Sequence, residues 1–370
     1  MITRYLNLSK KIFLSNFRRL GFPYKLTFAI TYQCNYRCRT CEIWKKKPVN
    51  ELSTEEIEQF FSHSNDFSWI DLTGGEPSLR KDFVDICQII SRYCKKLVLF
   101  HFPTNGYLTK KIVNDVKQIR QMGPFKIIIT VSTDGDEALN DEIRGVKGGW
   151  RRQMETFKQL HEIDGVEVVL GMTLSGLNYD KFEVTYNAAK DACPWLKPKD
   201  FHLSLMNYSE HFYGNEPQRD SSINLIKEGG QMLAQMLKTS KQYRKMLGIP
   251  TNPRAFLEST FHKKAESFFM TGKTPIPCHA LKSSCFIAPS GEVYPCITFN
   301  RPLSNLRDYD YNLRNIWNLQ TTRLLQEKIW DFKCPQCWTG CDGYQSILGN
   351  IFPFGKRSGI SNQLSFFLFV

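Results

Sequence analysis

The chain has 370 residues, 42% of them hydrophobic and 23% charged, with a formal net charge of +13. That composition can bury a sizeable core, which excludes a disordered tail and a short disulfide-stapled module. The positive charge favours an acidic partner such as nucleic acid, an anionic membrane or an acidic peptide, but it is scattered, which suits an enzyme with solvated lysines equally well.

Residues 1–24 form the first segment. Lys and Arg interrupt it too often for the apolar run of a secretory signal, so a cytoplasmic location is expected. Ile2, Tyr5, Leu6, Ile12, Phe13 and Phe17 recur at roughly helical spacing among basic residues. This predicts a basic amphipathic helix that either packs on the main domain or lies peripherally on a membrane. The tail, 346–370, closes with "LSFFLFV", well short of the roughly 20 apolar residues of a spanning helix.

Between 25 and 250, short apolar runs alternate with longer helical patterns. Strands are expected at 25–31, 67–73, 96–102, 125–132, 166–173 and 201–206, and Ser53 with Glu56 forms a capping box before Ile57. Six such units predict an α/β fold, a partial (β/α)6 TIM-type barrel with a parallel sheet. Barrels of this kind carry their chemistry on loops at the C-terminal ends of strands. Four unusual loops stand there: "CNYRCRTC" after the first strand, "GGEP" after the second, "PTNG" after the third and "STDGD" after the fourth.

Twelve cysteines in a long chain without an export signal point to metal rather than disulfides. Cys34, Cys38 and Cys41 supply three thiolates from one loop. A 4Fe-4S cube takes one thiolate per iron, so three ligands leave an open position, as in a catalytic metal site; the competing reading is a zinc site completed by a distant residue.

The cysteine loop together with "GGEP" resembles the radical S-adenosylmethionine superfamily over about residues 25–206. The resemblance implies S-adenosylmethionine bound at the open iron of a 4Fe-4S cluster on Cys34, Cys38 and Cys41, and a 5'-deoxyadenosyl radical that abstracts hydrogen. It implies cofactor contacts at Gly74, Gly75, Glu76 and Pro77, with Glu76 or backbone groups accepting from the cofactor's ammonium. Thr104, Asn105, Ser132 and Asp134 resemble positions that line the ribose or substrate side, and Arg144 resembles an arginine that meets the cofactor carboxylate. Met172 and Met206 are candidates to pack the adenine. Thr40 stands where the family often has an aromatic residue, so Tyr36 or Trp44 is expected to shield the cluster.

Residues 251–345 form a second, cysteine-rich unit. Cys278 and Cys296 flank an expected β-hairpin with Ser290-Gly291 at its turn, and Cys334, Cys337 and Cys341 follow about 40 residues later. A hairpin pair plus CxxC also suits a zinc ribbon. The spacing resembles the SPASM and twitch auxiliary domains, which implies one further 4Fe-4S cluster on Cys278, Cys296, Cys334 and Cys337, with Cys285 or Cys341 as substitutes. Cys87, Cys94 and Cys193 read as buried structural thiols.

The resemblance implies a radical S-adenosylmethionine oxidoreductase or maturase acting on a peptide or protein side chain, supplied with electrons by a flavodoxin or ferredoxin. Oxidation of a small alcohol, sugar or lipid-linked metabolite is the alternative. A basic zinc-binding nucleic-acid module is the reading from another class, and it leaves the rim loops unexplained.

Overall fold

The computed structural model describes residues 2–218 and 230–352. Six parallel strands stand side by side in chain order: β1 (Lys25–Ala29), β2 (Trp69–Thr73), β3 (Leu99–Thr104), β4 (Lys126–Ser132), β5 (Val166–Leu174) and β6 (Phe201–Leu205). Helices α2 (Thr54–His63), α3 (Phe83–Tyr93), α4 (Thr109–Gln121), α5 (Glu137–Arg144), α6 (Gly149–His161) and α7 (Phe182–Ala192) connect them. The Ser53–Glu56 capping box opens α2 as the sequence indicates. The expected α/β barrel is what forms.

Alternation within the strands decides what each face does. On β3, Phe100 and Phe102 turn outward onto Phe125 and Phe83, while Leu99 and His101 turn inward. The outward face builds the main core with Ile57, Phe60, Phe61 and Ile86. The inward face is mixed: Asp71, Thr130, Ser132, Gly171 and Thr173 stand among apolar residues such as Trp69, Leu99 and Ile128 and line a cavity of about 900 Å³. A filled barrel would carry Val, Ile and Leu at those positions. Gly171 leaves room for this layer, since a Cβ there would lie 2.3 Å from Thr130 Cγ2 and force that side chain to shift.

Two further elements close the barrel. Helix α1 (Ile2–Phe17) crosses the end where the strands begin, and its Leu8 and Ile12 line the cavity beside Trp69 and Leu99. Lys11 Nζ donates to Asp66 Oδ1 at 2.9 Å, and Asn16 Nδ2 to the Leu348 carbonyl at 3.0 Å, so the helix packs on the main domain. No helix among the described residues is long and apolar enough to cross a membrane.

The side seam is closed by the C-terminal part. After α8 (Gly230–Leu247) and α9 (Pro253–Thr271), strand β7 (Ser284–Ile287) pairs parallel with β1, and β8 (Glu292–Tyr294) and β9 (Ser304–Asn305) extend the sheet antiparallel. The expected hairpin forms, with Gly291 at φ +91° in its turn. It continues the barrel sheet rather than standing alone, which fits the marginal stability of an isolated two-stranded hairpin. Past α10 (Leu313–Asn318) and α11 (Gln320–Trp330), α12 (Gly340–Leu348) bridges the two barrel edges. Lys25 on β1 donates to the Cys341 carbonyl and to Gln345 Oε1, while Tyr344 Oη donates to Glu258 Oε1 (2.8 Å) and meets His202 of β6 (3.1 Å).

Candidate functional site

Cys34, Cys38 and Cys41 sit on the β1–α2 loop, and all three line the cavity at the rim where the strands end. The "GGEP" turn lies directly against this loop. A Cβ on Gly75 would fall 2.2 Å from the Gln33 carbonyl oxygen, and one on Gly74, whose φ is +148°, 2.3 Å from that of Thr31. Gly75 N donates to Thr31 O (2.9 Å) and Glu76 N to Gln33 O (2.7 Å). The two glycines thus let one rim loop seat the other, while both still face the cavity.

Glu76 is 1% exposed and fully engaged. Its Oε1 accepts from Ser78 Oγ (2.7 Å) and Thr104 Oγ1 (2.9 Å), and its Oε2 from Asn105 N (2.6 Å). Burial pushes its pKa up, and these donors offset part of the shift. It acts as a clamp between the second and third rim loops. Pro77 opens a single turn of 3-10 helix behind it. Asn105 Nδ2 then donates to Asn35 Oδ1 (2.6 Å), tying the third loop to the cysteine loop.

Asp134 and Arg144 form a buried pair at 2.6 Å below Cys38 and Tyr36. Arg144 Nε has no hydrogen-bond partner among the described residues. Arg37 N and Arg39 N donate to the carbonyls of Arg144 and Ile143, so the end of α5 holds the cysteine loop. Thr104, Ser132, Asp134 and Arg144 all face the same cavity as the cysteines. Of the two methionines, Met206 lines the cavity and Met172 is packed in the outward core. Tyr36 is buried beside the loop, and Trp44 faces the cavity under Arg37.

Burial raises the Cys34 thiol to about 11 and the Cys41 thiol to about 12, and it raises Cys38 too. Thiols raised in this way, with Arg144 as the opposing charge, ionise readily against bound cations. Among the described residues no three His, Cys, Asp or Glu side chains converge tightly enough to hold one metal ion. The cavity, the unpartnered Arg144 Nε and the thiol set suit a cluster with a charged cofactor beside it.

Sequence reasoning passed over the middle of the barrel. Lys25 Nζ lies 3.0 Å from Asp71 Oδ2, His101 Nδ1 lies 3.2 Å from Asp71 Oδ1, and His101 Nε2 lies 2.9 Å from Thr130 Oγ1. Asp71 is buried, yet Lys25 and His101 hold its pKa below the usual carboxylate range. Single polar residues inside apolar strands, as in "WIDLT" and "LFHFPT", were the available signal.

In the C-terminal part, Thr298 Oγ1 sits 3.3 Å from Cys296 Sγ and 3.5 Å from Cys337 Sγ. Cys278 is in electrostatic reach of Cys296 and Cys334, and Cys337 of Cys296 and Cys278. The other two cysteines lie elsewhere. Cys285 is buried on β7 opposite Leu26, and Cys341 lines the barrel cavity near Lys25 and Asp71. Cys87, Cys94 and Cys193 are buried in the main core.

Residues 28–189 match the radical SAM superfamily model, and residues 278–342 match that of an iron-sulfur cluster-binding SPASM domain. The chain carries a radical S-adenosylmethionine domain followed by a SPASM domain. The two domains imply S-adenosylmethionine and iron-sulfur clusters as cofactors. It is 29% identical over 195 residues to the sporulation killing factor maturation protein SkfB of Bacillus subtilis, covering 51% of this chain and 45% of SkfB. The chain therefore spans less than half the length of that relative. It is 25% identical over 328 residues to an AdoMet-dependent heme synthase of Oleidesulfovibrio alaskensis, covering 84% of this chain and 79% of the synthase. Streptococcus suis SuiB bound to precursor peptide SuiA shares the fold at TM-score 0.52 and 15% identity, covering 85% of this chain and 68% of SuiB.

Proposed function

We propose that this chain modifies a peptide or protein side chain by radical chemistry, with one cluster on Cys34, Cys38 and Cys41 and one auxiliary cluster on Cys278, Cys296, Cys334 and Cys337. The observation that carries the reading is the three-thiol loop facing a deep cavity whose seam is closed by the helix that follows the second cysteine set. SkfB is a maturation protein, and SuiB is solved with a precursor peptide, which supports a peptide substrate. When bound, S-adenosylmethionine and the first cluster would supply a hydrogen-abstracting 5'-deoxyadenosyl radical. The chain's own residues do the rest. The three cysteines would hold the cluster, Gly74, Gly75, Thr104, Ser132 and Arg144 would surround the cofactor, and α1 and α12 line the barrel's base and side. Electrons would come from a flavodoxin or ferredoxin, and the site of action is the cytoplasm or the inner surface of a membrane.

A small-molecule substrate is the second reading, favoured by the heme synthase match across both domains and by the closed barrel base. The test is anaerobic reconstitution with S-adenosylmethionine and dithionite. The proposal expects 5'-deoxyadenosine from the wild type and none from the Cys34→Ala/Cys38→Ala/Cys41→Ala variant. Tightly bound zinc without turnover would instead favour the zinc module. Mass spectrometry of candidate precursor peptides then separates the two substrate readings.

A further inference from the structure

Helix α1 carries two apolar stripes. Leu8 and Ile12 face the barrel base, and the opposite stripe has no cover among the described residues: Ile2 is 78% exposed, Leu6 64%, Phe13 50% and Phe17 50%. These four recur one helical turn or two turns apart, so they lie along one side of the helix. Phe352, the last described residue, stacks beside them, with ring centroids 5.6 Å from Phe13 and 6.0 Å from Phe17. Ile351 and Phe352 are themselves exposed. Two sequence-distant stretches thus build one apolar face on the outside of the barrel base.

The two segments that build this face carry charge of one sign. No Asp or Glu occurs before Glu42 or after Asp342. Arg4, Lys10, Lys11, Arg18 and Arg19 belong to the first segment, and Lys10 and Arg18 are exposed next to the stripe. Lys356 and Arg357 follow Phe352 in sequence. An apolar face flanked by the exposed cations Lys10 and Arg18, with the nearby Asp66 already neutralised by Lys11 and Lys96, matches the boundary between acyl chains and anionic headgroups.

We propose that this face docks the protein on an anionic membrane surface, with Ile2, Leu6, Phe13, Phe17 and Phe352 entering the headgroup boundary and the basic residues meeting phosphates. The rim that carries Cys34, Cys38 and Cys41 lies at the opposite end of the strands, so docking leaves the site's mouth turned away from the lipid. This inference stands on α1 and Phe352 alone and does not depend on the chemistry proposed above.

The experiment is co-sedimentation of the full chain with phosphatidylcholine vesicles, with and without phosphatidylserine, at low and high salt. Binding is expected only with phosphatidylserine, and high salt should release it. A Leu6→Glu/Phe13→Glu/Phe17→Glu variant with unchanged circular dichroism should bind about tenfold more weakly or less. Equal binding to neutral vesicles, or unchanged binding by the variant, would overturn the proposal. So would a dimer that the variant converts to monomer without any vesicle binding, which would assign the face to a second copy. Binding that appears only after removal of residues 353–370 would assign the face to that segment instead and would equally overturn it.

Discussion

Arg144 donates from Nη1 to Asp134 Oδ2 at 2.6 Å, while Asp134 Oδ1 accepts the Thr173 amide at 2.9 Å. The pair joins the end of α5 to β5 beneath the cysteine loop, with side chains only 11% and 5% exposed. Removing one member of a buried pair leaves the other unpaired, which costs about 3–5 kcal/mol. Asp134→Asn should therefore lower the unfolding free energy by about that much in urea titration. It should also weaken S-adenosylmethionine binding, because Arg144 would lose its fixed position. The exposed pair Arg39–Glu142 is the control: Glu142→Gln should change stability by less than about 1 kcal/mol.

Glu76→Gln tests the clamp. All the groups around this carboxylate are donors, namely Ser78 N and Oγ, Thr104 Oγ1 and Asn105 N. A glutamine would turn its NH2 onto one of them, leaving a buried donor unsatisfied at a cost of about 1–3 kcal/mol. The expected result is a lower melting temperature even without cofactor. A variant as stable as the wild type, but with weakened cofactor binding, would instead assign Glu76 to the ammonium.

The barrel and its rim were legible because they rest on local signals. Strand–helix alternation, the Ser53–Glu56 box and the Cys34, Gly74, Thr104 and Asp134 loops can each be read within a short window, and they meet at one cavity. What escaped depends on contacts between distant stretches. Nothing near Ser284 announces that β7 pairs with β1, nor does anything near Tyr344 announce its contact with His202, because both are set by closing the seam. Glu76 looked like a ligand because its type is right, and only the positions of Ser78, Thr104 and Asn105 show its oxygens already engaged. Asp71 and His101 were hidden inside apolar strands, where a lone polar residue is weak evidence until its partner on the next strand is known.

The auxiliary ligand set makes a prediction about iron. Cys278→Ala, Cys296→Ala, Cys334→Ala and Cys337→Ala should each lower the iron content of reconstituted protein by up to about one 4Fe-4S cluster. Cys285→Ala and Cys341→Ala should leave it unchanged, since Cys285 sits in the sheet and Cys341 faces the barrel cavity. Iron loss in Cys341→Ala would show that the helix bearing it reorganises around the cluster.

Lys25 and Asp71 should be among the most sensitive positions of the fold. Lys25 is fully buried, and its ammonium is held by Asp71, Gln345 and the Cys341 carbonyl. Asp71→Asn leaves that charge without its counter-ion and should cost about 3–5 kcal/mol, whereas a joint Lys25→Met/Asp71→Leu exchange should cost less. Urea titration of both variants checks the order. A single variant milder than the joint one would mean that water reaches this part of the barrel.

His262 on α9 predicts a pH dependence of stability. It is fully buried, with Nε2 2.9 Å from the Leu203 carbonyl and Nδ1 3.0 Å from Ser240 Oγ. Burial lowers its pKa from 6.5 to about 4, with Glu258 opposing the shift and His202 and Arg244 adding to it. Above pH 6.5 neither the folded nor the unfolded chain protonates this ring, so its contribution is fully present. As the pH falls through 6.5 towards 4, the unfolded chain takes up a proton that the folded chain refuses, and stability drops. The ceiling on that loss is ~3 kcal/mol. His262→Gln keeps a donor for Leu203 but cannot titrate. It should be less stable at neutral pH and show a shallower decline between pH 6.5 and 4 than the wild type, read from urea midpoints across that range. Parallel curves for the two proteins would place the acid sensitivity in other groups.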